Sequence, residues 1–192
     1  MPLSSGARTL LAGGVAVLAL TGLSLTALAA ASDDAAHTRT ATYDVACAPA
    51  SVPGHRVTVT LGDPAGHLGR TGMMRGHTMA MRGWLRATPT SVPAGTVTFV
   101  AVNTGGLTHE LVVLPLADGA LAGQREVGYD GAVAEDDAVT EASADCAAGT
   151  GDGILPGGAG WVTVRLAPGR YELACNLPGH YAAGMVDELV VR

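Results

Sequence analysis

From residue 52 onward the chain is a succession of short apolar segments, each closed by a turn signal, and this pattern limits the fold more than any other feature. Residues 56–61 alternate as Arg-Val-Thr-Val-Thr-Leu, which places Val57, Val59 and Leu61 on one face of a strand. Residues 96–102 form a β-branched run entered through the turn Val92-Pro93-Ala94-Gly95. Residues 111–114 are continuously apolar and are stopped by Pro115. Residues 161–166 alternate again, and Ala167-Pro168-Gly169-Arg170 turns the chain back so that Tyr171, Leu173 and Cys175 share a face. Residues 186–191 form a last strand and residues 79–87 a weaker one. There is no long amphipathic helix and no internal repeat. The spacing predicts an all-β chain folded as an antiparallel sandwich or barrel. Aromatic residues are only 4% of the chain against 48% hydrophobic, so Val, Leu and Ala must build its core.

The N-terminal part reads differently. Arg8 precedes an uncharged run over residues 9–31, and Ala27-Leu28-Ala29 and Ala29-Ala30-Ala31 both fit small-x-small cleavage. Residues 1–31 are a signal peptide or, uncleaved, a membrane anchor, since the run is long enough to span a bilayer. Its Gly, Thr and Ser content favours cleavage. No Cys closes the run, which disfavours a lipoprotein anchor. Either outcome puts the folded part outside the cytoplasm, whether secreted, periplasmic or held at the envelope. Residues 32–51 are an Ala-, Thr- and Asp-rich linker or arm, and residues 52–192 form the folded domain. A net charge of −6, with all 11 basic residues arginine, argues against a nucleic-acid partner. Membrane contact would come only through the uncleaved N-terminal segment.

Residues 175–185 read Cys-Asn-Leu-Pro-Gly-His-Tyr-Ala-Ala-Gly-Met, so one loop between two strands delivers a thiolate, an imidazole and a thioether. Soft sulfur mixed with borderline nitrogen suits an ion that cycles between Cu(I) and Cu(II). His109, just ahead of the strand at residue 111, completes a plane of two imidazoles and one thiolate, with Met185 as a long axial ligand. Each residue alone has a plainer reading. A Cys in a strand is usually a small hydrophobe, a Met fills gaps, and a His at a strand end is usually a hydrogen-bonded surface residue. Their combination at this spacing, in the last hairpin, favours copper.

The stretch Val92-Pro93-Ala94-Gly95-Thr96-Val97-Thr98-Phe99, Asn103 followed by Thr108-His109, and residues 169–180 (Gly-Arg-Tyr-Glu-Leu-Ala-Cys-Asn-Leu-Pro-Gly-His) resemble the cupredoxins, the blue or type 1 copper proteins. The resemblance covers roughly residues 52–192. The ligand-loop spacing is similar to that of the sulfocyanin and rusticyanin group and longer than that of plastocyanins. It implies an all-β, Greek-key β-sandwich of seven to eight strands holding one copper ion through His109, Cys175, His180 and Met185. It also implies one-electron carriage without enzymatic turnover. His180 would be the electron port, where redox protein partners, respiratory-chain components among them, dock.

Several features lie beside this pattern. Glu110 stands where many cupredoxins carry Asn or Ser, whose side chain ties the two ligand loops together; its carboxylate is expected to point to solvent. Asn176, next to the thiolate, is a further neighbour of the site. Residues 117–156 are too long for a plain turn and carry seven acids from Glu126 to Asp145 (Glu126, Asp130, Glu135, Asp136, Asp137, Glu141 and Asp145) with no basic residue between those two positions. They read as a solvated insert or, functionally, as a docking face for a basic partner. Cys47 and Cys146 are left over once Cys175 is assigned, and in an exported chain they favour a disulfide. Met73, Met74, His77, Met79 and Met81 suit an auxiliary Cu(I) site, although Met79 and Met81 alternate as core residues of a strand would. That segment keeps a copper chaperone or storage role open as the alternative to electron carriage. Copper oxidase or nitrite reductase chemistry would need further clustered histidines, whereas His37, His55, His67 and His77 are scattered.

Overall fold

The structure, a computed structural model, describes residues 47–64 and 82–192. Among them the strands are β1 (His55–Gly62), β2 (Trp84–Thr88), β3 (Ser91–Val92), β4 (Gly95–Asn103), β5 (Leu111–Leu116), β6 (Thr140–Ala142), β7 (Ala159–Leu166), β8 (Gly169–Ala174) and β9 (Val186–Val191), with no helix. They form two sheets, β2-β1-β4-β7 and β3-β9-β8-β5-β6. This is the Greek-key sandwich expected, with two extra strands, β3 and β6, at the edges of the second sheet. Each is too short to leave a periodic trace in the sequence.

Pairing is mixed rather than purely antiparallel. β1 lies parallel to β4, with Val57 opposite Phe99 and Leu61 opposite Asn103, and β3 lies parallel to β9. The cause is topological. The chain leaves the first sheet after β2, passes through β3 in the second, and returns as β4 beside β1. A crossover of this kind permits parallel neighbours, which a hairpin does not.

Pro115 does not stop β5, which continues to Leu116 with Pro115 opposite Tyr171 of β8. On its other side β5 meets β6 only through Leu111, Val112 and Val113. Val113 accepts from Val139 N–H along that edge, and Pro115, two residues on, faces the same way beyond the end of β6. The missing N–H therefore costs no ladder bond. The Pro115 carbonyl accepts from Arg125 Nη2 at 2.6 Å.

Val57, Val59 and Leu61 of β1 pack with Leu85, Phe99, Leu111, Val113, Leu173 and Leu189 in one cluster, and Cys175 and Met185 belong to it. Burying each large aliphatic or aromatic side chain contributes about 1.5–3 kcal/mol. Two of the predicted ligands are thus core residues at one end of the sandwich, which is why the packed sheets can hold them still.

Residues 117–156 are more than a solvated insert. Glu126, Asp130, Glu135, Asp136 and Asp137 do face outward, but Val133, Ala142 and Ile154 are buried. Arg125 Nε donates to Glu172 Oε2 at 2.7 Å, and the Tyr181 hydroxyl donates to Glu172 Oε1 at 2.7 Å. Glu172 is completely buried on β8. Cys146 is bonded to Cys47, with the Cα atoms 5.2 Å apart. The charge pattern had reported only the outer side of this segment. Its inner side is held by backbone bonds and a few apolar residues, neither of which is periodic.

Candidate metal centre

The loop that carries His109 is shaped from its start. Asn103, buried at the end of β4, donates through Nδ2 to the carbonyls of Leu107 (2.7 Å) and Ile154 (2.8 Å) and accepts from Gly105 N–H (2.9 Å). His109 exchanges backbone bonds with Ile154 at 3.1 and 2.7 Å. Asp63, just past β1, accepts through Oδ2 from Gly106 N–H (2.9 Å), Leu107 N–H (3.0 Å) and His109 Nε2 (2.9 Å). A carboxylate at Nε2 holds the proton on that nitrogen and leaves the Nδ1 lone pair free.

The second loop closes on itself. Cys175 N–H donates to the Met185 carbonyl at 3.0 Å, and Met185 N–H donates to the His180 carbonyl at 3.2 Å. Three donor atoms then converge: His109 Nδ1 lies 3.2 Å from His180 Nδ1, and Cys175 Sγ lies 3.3 Å from His180 Nδ1 and 3.8 Å from His109 Nδ1. His109 and Cys175 are fully buried and His180 is 7% exposed, so His180 is the one nearest solvent. Met185 lines a cavity of about 10 Å³ with Asp63, Gly83, Leu107, Ala183 and the two histidines.

Burial pushes the Cys175 thiol up to about 12, against the opposing N–H groups of Glu110 and Leu177. Burial lowers His109 despite Asp63, and burial with the neighbouring His109 lowers His180. Without a cation the site is therefore neutral at pH 7: a thiol and two imidazoles. Two ring nitrogens and a sulfur within 3.8 Å of one another can be satisfied together by a soft or borderline cation, and the thioether nearby favours copper over zinc.

Over residues 87–192 the sequence matches the family described as the Sulfocyanin (SoxE) domain. The chain belongs to the sulfocyanin family. It is a cupredoxin of the sulfocyanin and rusticyanin group. Among solved structures it is similar to reduced rusticyanin at 23% identity, covering 73% of this chain and 82% of that one, with a TM-score of 0.42. A rusticyanin from Thiobacillus ferrooxidans matches at 20% identity over 79% and 90%, TM-score 0.42. Reduced auracyanin from Roseiflexus castenholzii matches at 22% over 55% and 86%, TM-score 0.41. No curated protein matches the chain in sequence.

In this chain the Glu110 carboxylate does not point to solvent. Its Oε1 accepts from Asn176 N–H at 3.1 Å and so bridges the two ligand loops, the task expected of Asn or Ser at that position. Glu110 N–H donates to Cys175 Sγ at 3.4 Å. Asn176 ties its loop outward, donating to the Val133 carbonyl (2.9 Å) and accepting from Val133 N–H (2.7 Å), and Gly179 N–H donates to the Gly131 carbonyl (2.9 Å). Residues 117–156 thus brace both ligand loops, through Ile154 on one and Gly131 and Val133 on the other. Sequence reading had missed Asp63 and this bracing, because neither has a spacing signature. Met73, Met74, His77, Met79 and Met81 lie outside the described residues, as do residues 1–46.

Burial, with Glu141 and Glu135 nearby, pushes the Glu110 carboxyl up to about 7 from an ordinary 4.5. In the metal-free protein the folded chain then keeps this proton to about pH 7, while the unfolded chain releases it near 4.5. The stability from Glu110 is present below 4.5 and lost as pH rises through 7. Glu110→Gln keeps an oxygen for Asn176 N–H but removes the titration. The difference in urea midpoint between this variant and the metal-free wild type is expected to grow in the variant's favour from pH 4.5 to about pH 8. A pH-independent difference would place the carboxylate in solvent after all.

Proposed function

We propose that this chain is a one-electron carrier that holds one copper ion through His109, Cys175 and His180, with Met185 as a weak fourth ligand, and that it works outside the cytoplasm. The observation that carries the reading is the convergence of His109 Nδ1, His180 Nδ1 and Cys175 Sγ within 3.8 Å of one another in a buried end of the sandwich. Copper bound there supplies a Cu(I)/Cu(II) couple. The protein's own residues do the rest. Asp63 keeps the His109 tautomer and ring in place, Glu110 N–H offers a hydrogen bond to the sulfur, and the core around Cys175 and Met185 excludes water. A site that changes little between oxidation states needs such a scaffold, and the bracing by residues 117–156 adds to it. The Cys47–Cys146 disulfide supports an oxidising location, hence the cell envelope or beyond it. Residues 1–31 then serve as signal peptide or anchor.

Four protein ligands leave no open coordination position, and catalytic metal sites keep one. Electrons would pass through the edge at His180, where the exposed acids of residues 117–156 suit a basic redox partner. Stopped-flow mixing of the reduced, copper-loaded protein with ferricyanide should oxidise one electron equivalent per chain rapidly, whereas oxygen and nitrite should react slowly. Sustained turnover of oxygen or nitrite with added reductant, at about 10 per second or more, would make the protein an enzyme and overturn the carrier reading.

A further inference from the structure

We propose that Gly83 is a positioning residue for the Met185 thioether, so that the absence of a side chain at Gly83 sets where the fourth donor sits; this rests on reading Met185 as a ligand. A Cβ at residue 83 would collide with Cγ and Sδ of Met185. Gly83 is not required by its backbone, since its φ is not in the left-handed region. What it supplies is room. Gly83 and Met185 also line the same small cavity with Asp63, His109 and His180, so the close contact is made inside the site itself.

The backbone behind Gly83 is held firmly enough to act as a wall. β2 starts at the next residue and pairs with β1 from Gly62 opposite Trp84 to Thr58 opposite Thr88. Gly62 is followed directly by Asp63, the residue that holds His109. On its other side β2 is tied to the start of β9, where Ala87 N–H donates to Asp187 Oδ2 at 2.8 Å. Asp187 is two residues after Met185. The register of β2 therefore relates the thioether to the His109 imidazole through two short, hydrogen-bonded routes. A methyl group at residue 83 must move the flexible thioether, because the backbone leading directly into β2 is the stiffer of the two.

The test is a double-mutant cycle of Gly83→Ala with Met185→Ala, read on the metal-free and copper-loaded proteins. In the metal-free protein Gly83→Ala should lower Tm by about 5 °C, as overpacking does, and the same change in the Met185→Ala background should lower it little or restore part of the loss. In the copper-loaded protein Gly83→Ala should shift the reduction potential and the position of the visible band. Val57→Ala, in the core about 20 Å along β1 from Asp63, should lower Tm without moving either. Equal Tm losses for Gly83→Ala in both backgrounds, or an unchanged potential and band beside the Tm loss, would overturn the proposal. If Gly83→Ala fails to fold alone, folding of the double variant supports it and failure of the double variant contradicts it. If the wild type binds no copper, the copper reading fails on its own account, and with it the ligand role of Met185, while the metal-free cycle still decides whether Gly83 sets the position of that side chain.

Discussion

Cys175→Ser is expected to abolish the intense visible charge-transfer band of the copper-loaded protein and to leave the metal-free fold nearly intact. The two effects separate because they come from different properties of one atom. As a core group, Cys175 is a small buried side chain with Glu110 N–H directed at it, and a serine oxygen can occupy that place and accept the same bond. As a ligand it is a soft donor whose thiolate bonds covalently to copper, which a neutral hydroxyl cannot reproduce. The metal-free Tm should therefore shift by only a few degrees, within what a buried thiol-to-hydroxyl change costs at about 1–2 kcal/mol. A variant that retains the band would mean that the absorbing ligand is another residue and that the three-atom convergence at His109, Cys175 and His180 is not the site.

Removing the disulfide should have the largest effect on stability. Cys47 and Cys146 are 99 residues apart, and a cross-link of that span restricts the unfolded chain by about 4–5 kcal/mol in the chain-entropy account. Such a loss is a large part of the stability of an ordinary domain. Cys146 carries a second, smaller effect of opposite sign. Its φ of 51° is the left-handed region, which costs a residue with a Cβ about 1 kcal/mol. Cys146→Gly should therefore be less destabilising than Cys146→Ala, although both lose the bond. Urea unfolding of Cys47→Ala, Cys146→Ala and Cys146→Gly checks this. Midpoints equal to that of the oxidised wild type would show that the bond constrains nothing. Because Cys146 belongs to the segment that braces both ligand loops, metal retention should weaken alongside stability.

How much of this was legible in the sequence depended on the kind of signal each feature leaves. Alternation located β1 and β7, and a β-branched run located β4, because a half-buried strand must repeat every two residues. The spacing from Cys175 to Met185 pointed to the loop whose Cys175 and His180 converge with His109, since one short segment offers three donors of different softness. Counting cysteines in an exported chain pointed to the Cys47–Cys146 bond. Periodicity shows which face a residue takes and not which strand lies beside it, so the parallel pairing of β1 with β4 was out of reach. The sequence places a stop at Pro115 for the same reason: whether a strand tolerates proline depends on whether its edge is covered, and that is a property of β6. Asp63, Glu110 and Gly83 act through single contacts with residues far away in sequence. Asp63 meets His109 across 46 positions and Glu110 meets Asn176 across 66. A lone acid or glycine with one distant partner leaves no pattern, and the sequence alone favours solvent for Glu110 because a carboxylate usually goes there.

Everything in the functional account depends on one copper held by two imidazoles and a thiolate. The measurement that tests it most directly is the visible absorption spectrum of the purified protein after loading with Cu(II), taken together with its copper content. One copper per chain and an intense band that disappears on reduction are the expected result. A chain that binds no copper, or that binds it with only weak absorption insensitive to Cys175→Ser, would contradict the account.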